Sequence, residues 1–261
     1  MTNQHGDFIW YELLTSDANA AADFYGKVVG WTINTSDLPG MDYRMLHIGD
    51  HDVGGLMPLT PDMAAGGARP AWLGYVGVDD VDEMAASVAA GGGTVHVPPT
   101  DIPNVGRFAM VADPQGAPFY VMRGASDEAS MAFAYDTPRV GHCAWNELST
   151  SDPEAAKHFY GQRFGWVKDG DMEMGPMGKY EFLRHGDKGM IGALMPMMPG
   201  ASQPVWTYYF RVPDIDAAVE TITANGGTVT VEPMEIPGGD YSMNAVDPQG
   251  AHFALVGSRG A

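Results

Sequence analysis

Cysteine, basic side chains and long apolar runs are all scarce in this chain of 261 residues. The single cysteine, Cys143, excludes an internal disulfide and is typical of a protein from a reducing compartment. Only 14 basic residues stand against 33 acidic ones, and the net charge of −19 would repel phosphate backbones and anionic membranes. We therefore expect neither nucleic acid nor a membrane as a partner.

Signals for export or membrane insertion are also lacking. No stretch approaches the roughly 20 apolar residues that a membrane span needs, and residues 1–7 are polar without a basic n-region. We expect a cytoplasmic protein. Its hydrophobic content of 45% is sufficient for two cores of ordinary domain size.

The chain does contain an internal repeat, with copies about 135 residues apart. This spacing is far longer than a solenoid repeat, so it predicts two homologous domains at 1–124 and 140–261, joined by a linker at 125–139. Three pairs of segments carry the repeat: WYELLTSD at 10–17 and WNELSTSD at 145–152, FYGKVVGW at 24–31 and FYGQRFGW at 159–166, and DPQGAPF at 113–119 and DPQGAHF at 247–253.

Within each copy, strand-like runs alternate with one-faced helices in the order β-α-β-β-β, and this order occurs twice. In the first unit, Asp17 is placed to cap a helix that Gly26 and Gly30 close. In the second, Asp79 or Asp80 opens a helix that runs to about Ala90. The pattern therefore predicts an α+β fold.

These motifs, in this order and in both copies, resemble the vicinal oxygen chelate superfamily, which includes glyoxalase I, bleomycin-resistance proteins and extradiol dioxygenases. The resemblance extends from about Phe8 to Val256 and is nearest to tandem glyoxalase-like proteins and hydroxylases. It implies two tandem modules, each with two β-α-β-β-β units that form a curved, incompletely closed barrel around a small-molecule ligand.

The resemblance also indicates where metal-using members place their ligands, and the side chains found there do not suit a divalent ion. A Trp indole, for example, has no lone pair to give. We therefore predict no metal cofactor, with a divalent metal at a displaced site, using His47, His142, His185 or His252, as the alternative. The eight positions are Trp10, Gly55, Leu73 and Tyr120 in the first copy, and Trp145, Ala193, Thr207 and Ala254 in the second.

Two acidic residues, Glu12 and Glu147, are the candidate catalytic residues. Each lies two positions after a tryptophan, so the two side chains share one strand face. A carboxylate among aromatic residues is suited to act as a general base or as a counter-charge for a cationic ligand. The alternative is a structural carboxylate, bound to backbone N–H groups or to an arginine such as Arg211.

Aromatic and polar residues on the same predicted face are the candidate ligand-binding set. Their rings would stack on a planar ligand and their hydroxyls would orient its oxygens, although the two tryptophans are equally compatible with plain core packing. The set comprises Trp10, Trp145, Tyr75, Tyr120, Tyr209, Arg211 and His252.

Two classes of function remain open at this point. The first is a binding or sequestering protein for a small apolar or aromatic metabolite that works without metal. The second is an enzyme, either a metal-free catalyst using Glu12 or Glu147 or a lyase or oxidoreductase of the glyoxalase and dioxygenase type. A tandem chain can supply a complete pair of modules, so a monomer and a homodimer are both compatible with the sequence.

Overall fold

The computed structural model of the protein describes residues 3–36, 40–135 and 137–260. In the N-terminal copy the strands are β1 Phe8–Thr15, β2 Thr32–Thr35, β3 Arg44–Ile48, β4 His51–Pro58, β5 Ala71–Gly77, β6 Thr94–Ile102, β7 Gly106–Ala112 and β8 Pro118–Gly124. Its helices are α1 Ala18–Val28, α2 Pro61–Ala65 and α3 Val81–Ala90.

The C-terminal copy repeats this order. Its strands are β9 Cys143–Thr150, β10 Trp166–Glu173, β11 Lys179–His185, β12 Gly189–Pro196, β13 Val205–Asp214, β14 Thr228–Glu235, β15 Tyr241–Val246 and β16 His252–Ser258. Its helices are α4 Pro153–Phe164 and α5 Ile215–Ala224.

Within the described ranges, each copy forms one open sheet of eight strands. The strand orders are β2-β3-β4-β1-β5-β8-β7-β6 and β10-β11-β12-β9-β13-β16-β15-β14. The first and last strands of each β-α-β-β-β unit pair in parallel, whereas the hairpins between them are antiparallel. This topology confirms the α+β fold of two tandem modules, each containing the β-α-β-β-β unit twice.

Aspartates begin the long helices, as the sequence predicts. The carboxylates of Asp17, Asp80, Asp152 and Asp214 accept backbone N–H groups in the first turn of α1, α3, α4 and α5. Helix α2 was not predicted, although its Thr60 cap and its proline at the first helical position are standard signals for a helix start.

The expectation that Gly26 closes α1 is wrong, because the helix continues to Val28. A Cβ at Gly26 would lie 3.4 Å from the carbonyl oxygen of Trp31, which is an ordinary van der Waals contact. At the matching Gly161 the distance to the Trp166 carbonyl oxygen is 3.1 Å, so a side chain there would be a tight fit where the chain enters the next strand.

The chain divides into two compact units that do not coincide with the two copies. The first compact unit comprises Met1–Ile9, Gly74–Ser130 and Trp145–Thr207. The second comprises Trp10–Leu73, Met131–Ala144 and Tyr208–Ala261. Each unit therefore combines segments of both copies, and the domain boundaries that the repeat indicates stay a prediction.

The repeated FYG and DPQG segments meet inside each compact unit. In the second unit the Tyr25 hydroxyl accepts the Trp72 indole N–H at 2.9 Å and donates to Asp247 Oδ2 at 3.0 Å. The other carboxylate oxygen accepts the backbone N–H groups of Gln249 and Ala251. One buried tyrosine thus ties a helix of the first copy to a turn of the second.

The first compact unit contains the matching arrangement. There the Tyr160 hydroxyl accepts the Trp206 indole N–H at 3.0 Å and donates to Asp113 Oδ2 at 3.0 Å. Burial raises the pKa of both Asp113 and Asp247, although the hydrogen bonds to each carboxylate act in the opposite direction. Both motifs therefore have a structural role, as parts of buried hydrogen-bond bridges.

Part of the predicted linker packs against the second compact unit. Phe133 is buried and pairs with Cys143 in an isolated parallel bridge. Asp136, which also falls in this linker, lies outside the described residues. Among the helices of the described segments, none combines the length and the apolar composition required to cross a membrane.

Candidate functional site

The C-terminal copy holds a chain of hydrogen bonds around its candidate carboxylate. Trp145 and Glu147 lie two residues apart on β9, and Tyr180 lies at the start of β11. The Trp145 indole N–H donates to the Tyr180 hydroxyl at 2.7 Å, and this hydroxyl donates to Glu147 Oε2 at 2.7 Å. Because all three side chains are half-buried, this Trp-Tyr-Glu group combines aromatic surface with an accessible carboxylate.

Strand register places an aromatic ring and a small residue beside this group. Phe182 on β11 pairs with Ala193 on β12, which pairs in turn with Glu147 on β9. The Phe182 ring lies edge-on to Trp145, with centroids 6.2 Å apart, and to Tyr180, at 5.7 Å. Three neighbouring rings therefore lie on the strands beside one carboxylate in the first compact unit.

The N-terminal copy has a related group in the second compact unit. The Trp10 indole N–H donates to the Tyr43 hydroxyl at 2.8 Å, and Glu12 pairs in register with Gly55 on β4. A Cβ at Gly55 would collide with the Tyr43 hydroxyl, so a larger residue there would displace the tyrosine. Met45 pairs with Gly55 on β4, just as Phe182 pairs with Ala193 in the C-terminal copy. Met45 therefore occupies the position that corresponds to Phe182. Glu12 is buried, with only 3% of its surface exposed.

Tyr43 and Tyr180 are missing from the candidates that the sequence supplied. One signal was available, because a Tyr-x-x-Leu pattern precedes the fourth strand in both copies, at Tyr43 with Leu46 and at Tyr180 with Leu183. That spacing alone does not reveal that each hydroxyl reaches the tryptophan of another strand, since strand pairing decides which residues become neighbours.

The structure brings Tyr75 and Tyr120 together in the first compact unit. They pair in register on β5 and β8, and their rings stack with centroids 4.2 Å apart and an interplanar angle of 16°. Both are buried. Phe108 packs at a tilt against Tyr120, with centroids 5.9 Å apart. Each tyrosine thus has a ring partner within its own unit, and their role in ligand binding stays a prediction.

The remaining candidates lie on β13 and β16 of the second compact unit. Tyr209 is buried and pairs in register with Ala254, a far smaller residue than the tyrosine at the matching position of the first copy. The Arg211 guanidinium donates to Asp240 Oδ2 at 2.7 Å. His252 is exposed at the start of its strand. For these residues too, a part in ligand binding stays a prediction.

The side chains at the eight family ligand positions fit a divalent ion poorly. Gly55, Leu73, Ala193 and Ala254 have no donor atoms in their side chains, and the indole nitrogens of Trp10 and Trp145 donate hydrogen bonds. In the part of the chain that the structure describes, no three His, Cys, Asp or Glu side chains cluster as metal ligands. Indoles, hydroxyls and apolar side chains thus occupy the positions that the resemblance assigns to metal ligands.

Three of the four histidines proposed for a displaced site have other partners. His185 Nδ1 lies 3.0 Å from Asp7 Oδ1 in the first compact unit, and Asp7 also forms an ion pair with Lys188. In the second unit His47 pairs with Asp52, and His142 Nδ1 lies 2.5 Å from the carbonyl oxygen of Met131. Burial lowers the pKa of His142.

Comparison with known protein families decides the affiliation of this chain. Residues 8–121 and 139–255 match the model of the Glyoxalase/Bleomycin resistance protein/Dioxygenase superfamily. The chain belongs to this superfamily. The match occurs once in each copy, which confirms the tandem modules that the repeat predicts.

Named relatives of this superfamily member align over nearly its whole length. A Mycobacterium tuberculosis protein named "Putative glyoxylase CFP32" is 34% identical over 249 residues, which cover 95% of this chain and 93% of the relative. The "Anthracycline biosynthesis protein DnrV" of Streptomyces peucetius is 31% identical over 259 residues, covering 95% and 91%.

Solved structures of the superfamily share the fold. The Mn(II)-bound glyoxalase from Novosphingobium aromaticivorans has a TM-score of 0.67 at 17% identity, covering 98% of this chain and 83% of that one. The 2,3-dioxygenase LapB from Pseudomonas sp. KL28 has a TM-score of 0.65 at 12% identity, covering 99% and 94%. At these identities the likeness concerns the fold alone.

Proposed function

We propose that this superfamily member binds a small planar aromatic metabolite on the aromatic faces of its modules, without a divalent ion at the family's ligand positions. The observation that carries the proposal is the Trp-Tyr-Glu group of Trp145, Tyr180 and Glu147, where a hydrogen-bonded hydroxyl joins the indole to the carboxylate. Aromatic rings with a few convergent polar groups are the usual lining of a site for such a ligand.

The repetition of this chemistry in both copies supports the proposal. Trp10 donates to Tyr43 in the N-terminal copy just as Trp145 donates to Tyr180 in the C-terminal one. Trp72 and Trp206 also donate to tyrosine hydroxyls, but both are buried in the core, whereas Trp10 and Trp145 are half-buried and keep part of their ring surface accessible to a ligand. The name of the anthracycline biosynthesis relatives also favours a polycyclic aromatic ligand.

An experiment with metal-free protein tests this function. The protein is treated with a chelator, its metal content is measured by elemental analysis, and binding of 2-naphthol is followed by equilibrium dialysis. We expect binding that survives metal removal and falls about tenfold in Trp145→Leu, because a stacking surface is lost. Binding or turnover that returns only when Mn²⁺ or another divalent ion is added would favour the metal-dependent alternative.

Metal-free proton transfer is the second candidate function, favoured by the bond between Tyr180 and Glu147. A carboxylate held in place by a phenol can take a proton from a ligand as a general base. Glu147 would be the general base here. Turnover of a ligand by the wild type, lost in Glu147→Gln with binding retained, would distinguish this enzyme from a binding protein.

A further inference from the structure

We propose that the C-terminal copy recognises a hydroxyl group on its aromatic ligand through Glu147 and Tyr180, and that Glu12 of the N-terminal copy does not share this role. The inference rests on the proposed function and deepens it, because it names a phenol as the ligand class. It also assigns specificity to Tyr180, which the sequence did not single out.

The direction of the hydrogen bonds sets the chemistry that this group selects. Tyr180 gives its only O–H proton to Glu147 and accepts the N–H of Trp145. An ionised carboxylate has about four acceptor positions and no donor. Since the carboxylate and the phenol oxygen present acceptors, a ligand group that matches them must be a donor. A phenolic hydroxyl is such a donor, and its bond to a carboxylate is charge-assisted.

The two copies differ in how their carboxylates are presented. Glu147 is half-buried and lies opposite Ala193, whereas Glu12 is 3% exposed and lies opposite Gly55. The Tyr43 hydroxyl occupies the space above Gly55 that a methyl group would otherwise take. A ligand can therefore reach the carboxylate of the C-terminal copy more readily than that of the N-terminal copy.

The rings around Glu147 define the shape of the ligand. Phe182 packs edge-on against Trp145 and Tyr180, whereas the corresponding position of the N-terminal copy holds Met45, a flexible aliphatic side chain. Rings at fixed angles favour a flat partner, because edge-to-face and offset stacking both require a planar surface. A planar ring that carries a hydroxyl meets both requirements of the site.

A pair of probes of nearly equal size tests the inference. The affinities of 2-naphthol and 2-methylnaphthalene are measured by equilibrium dialysis for the wild type and for Glu147→Gln, Tyr180→Phe and Glu12→Gln. The readout is the ratio of the two affinities, which cancels changes that affect both probes equally. We expect this ratio to fall about tenfold in Glu147→Gln, since a charge-assisted hydrogen bond is lost, and about threefold in Tyr180→Phe. In Glu12→Gln it should change less than twofold.

The measured ratios separate a failure of this inference from a failure of the proposed function. An unchanged ratio in both C-terminal variants, with both probes still bound, overturns the hydroxyl recognition and leaves the proposed function standing. A fall in Glu12→Gln alone overturns the assignment to the C-terminal copy. Failure of the wild type to bind either probe removes the proposed function and the inference with it. If Glu147→Gln does not fold, as judged by circular dichroism, Tyr180→Phe decides the question.

Discussion

Removing the Tyr25 hydroxyl should weaken the protein more than any ordinary Tyr→Phe change. Tyr25 is fully buried, and its hydroxyl bridges the Trp72 indole N–H at 2.9 Å and Asp247 Oδ2 at 3.0 Å. In Tyr25→Phe the ring remains in place, so no large cavity forms. Two polar partners lose their hydrogen bond in a buried environment, and this loss is the cause of the expected effect.

The magnitude follows from the two lost bonds. A buried donor without an acceptor costs about 1–3 kcal/mol, and a hydrogen bond to a charged group contributes about 1.5–3 kcal/mol. The bonds that Gln249 and Ala251 donate to the Asp247 carboxylate remain, so part of its environment is kept. We therefore expect the free energy of unfolding to fall by about 2–5 kcal/mol.

Urea unfolding followed by circular dichroism measures this loss. Tyr160→Phe should show a similar loss, because its hydroxyl bridges Trp206 and Asp113 at matching distances in the other unit. Tyr241→Phe is the control, since its ring is half-buried and we expect a change of about 0.5 kcal/mol or less. If Tyr25→Phe is as stable as this control, the hydroxyl bridge does not stabilise the fold and the reasoning is refuted.

Three further predictions concern other contacts. Burial raises the folded-state pKa of Asp247, so its stabilising contribution is fully present at low pH and is lost as the pH rises through that pKa. The difference in unfolding free energy between wild type and Asp247→Asn should therefore shrink as the pH is raised from about 4 to 8 in urea titrations. Gly55→Ala should lower the free energy of unfolding by about 1–3 kcal/mol, because the new methyl group would displace the Tyr43 hydroxyl. Thermal unfolding measures this loss, and Gly124→Ala, where a Cβ meets no neighbour, should be nearly neutral as the control. The Cys143 thiol is buried, so a thiol reagent should label it only as fast as the protein opens, and rapid labelling under native conditions would contradict the structure.

Local signals allowed much of the architecture to be predicted. The carboxylates of Asp17, Asp152 and Asp214 accept the first backbone N–H groups of their helices. Because such a cap involves residues only two or three positions apart, the start of a helix can be predicted from the sequence. Gly26 misled the prediction because a single glycine inside a helical pattern is tolerated, and α1 continues past it to Val28. The length of strand β6 also depends on pairing, since its register with β7 continues to Ile102 in spite of two prolines.

The candidate site was predicted only in part. Glu147 and Trp145 follow from period-two alternation on one strand, which the sequence shows directly. Tyr180 joins them through the pairing of β11 with β12 and of β12 with β9, and no local pattern encodes that order of strands. The same reason explains why Arg211 could be considered as a partner for a glutamate, although its guanidinium binds Asp240.

The amino-acid sequence by itself determined the duplication, the β-α-β-β-β order, the acidic character and the poor donor set at the family's metal positions, because each of these depends on residue identity and short-range spacing. Tertiary structure alone decided that the FYG and DPQG motifs bind each other across the two copies, and that a tyrosine hydroxyl joins Trp145 to Glu147. These contacts connect residues about 30 to 220 positions apart, and only the packed backbone brings such residues within hydrogen-bonding distance.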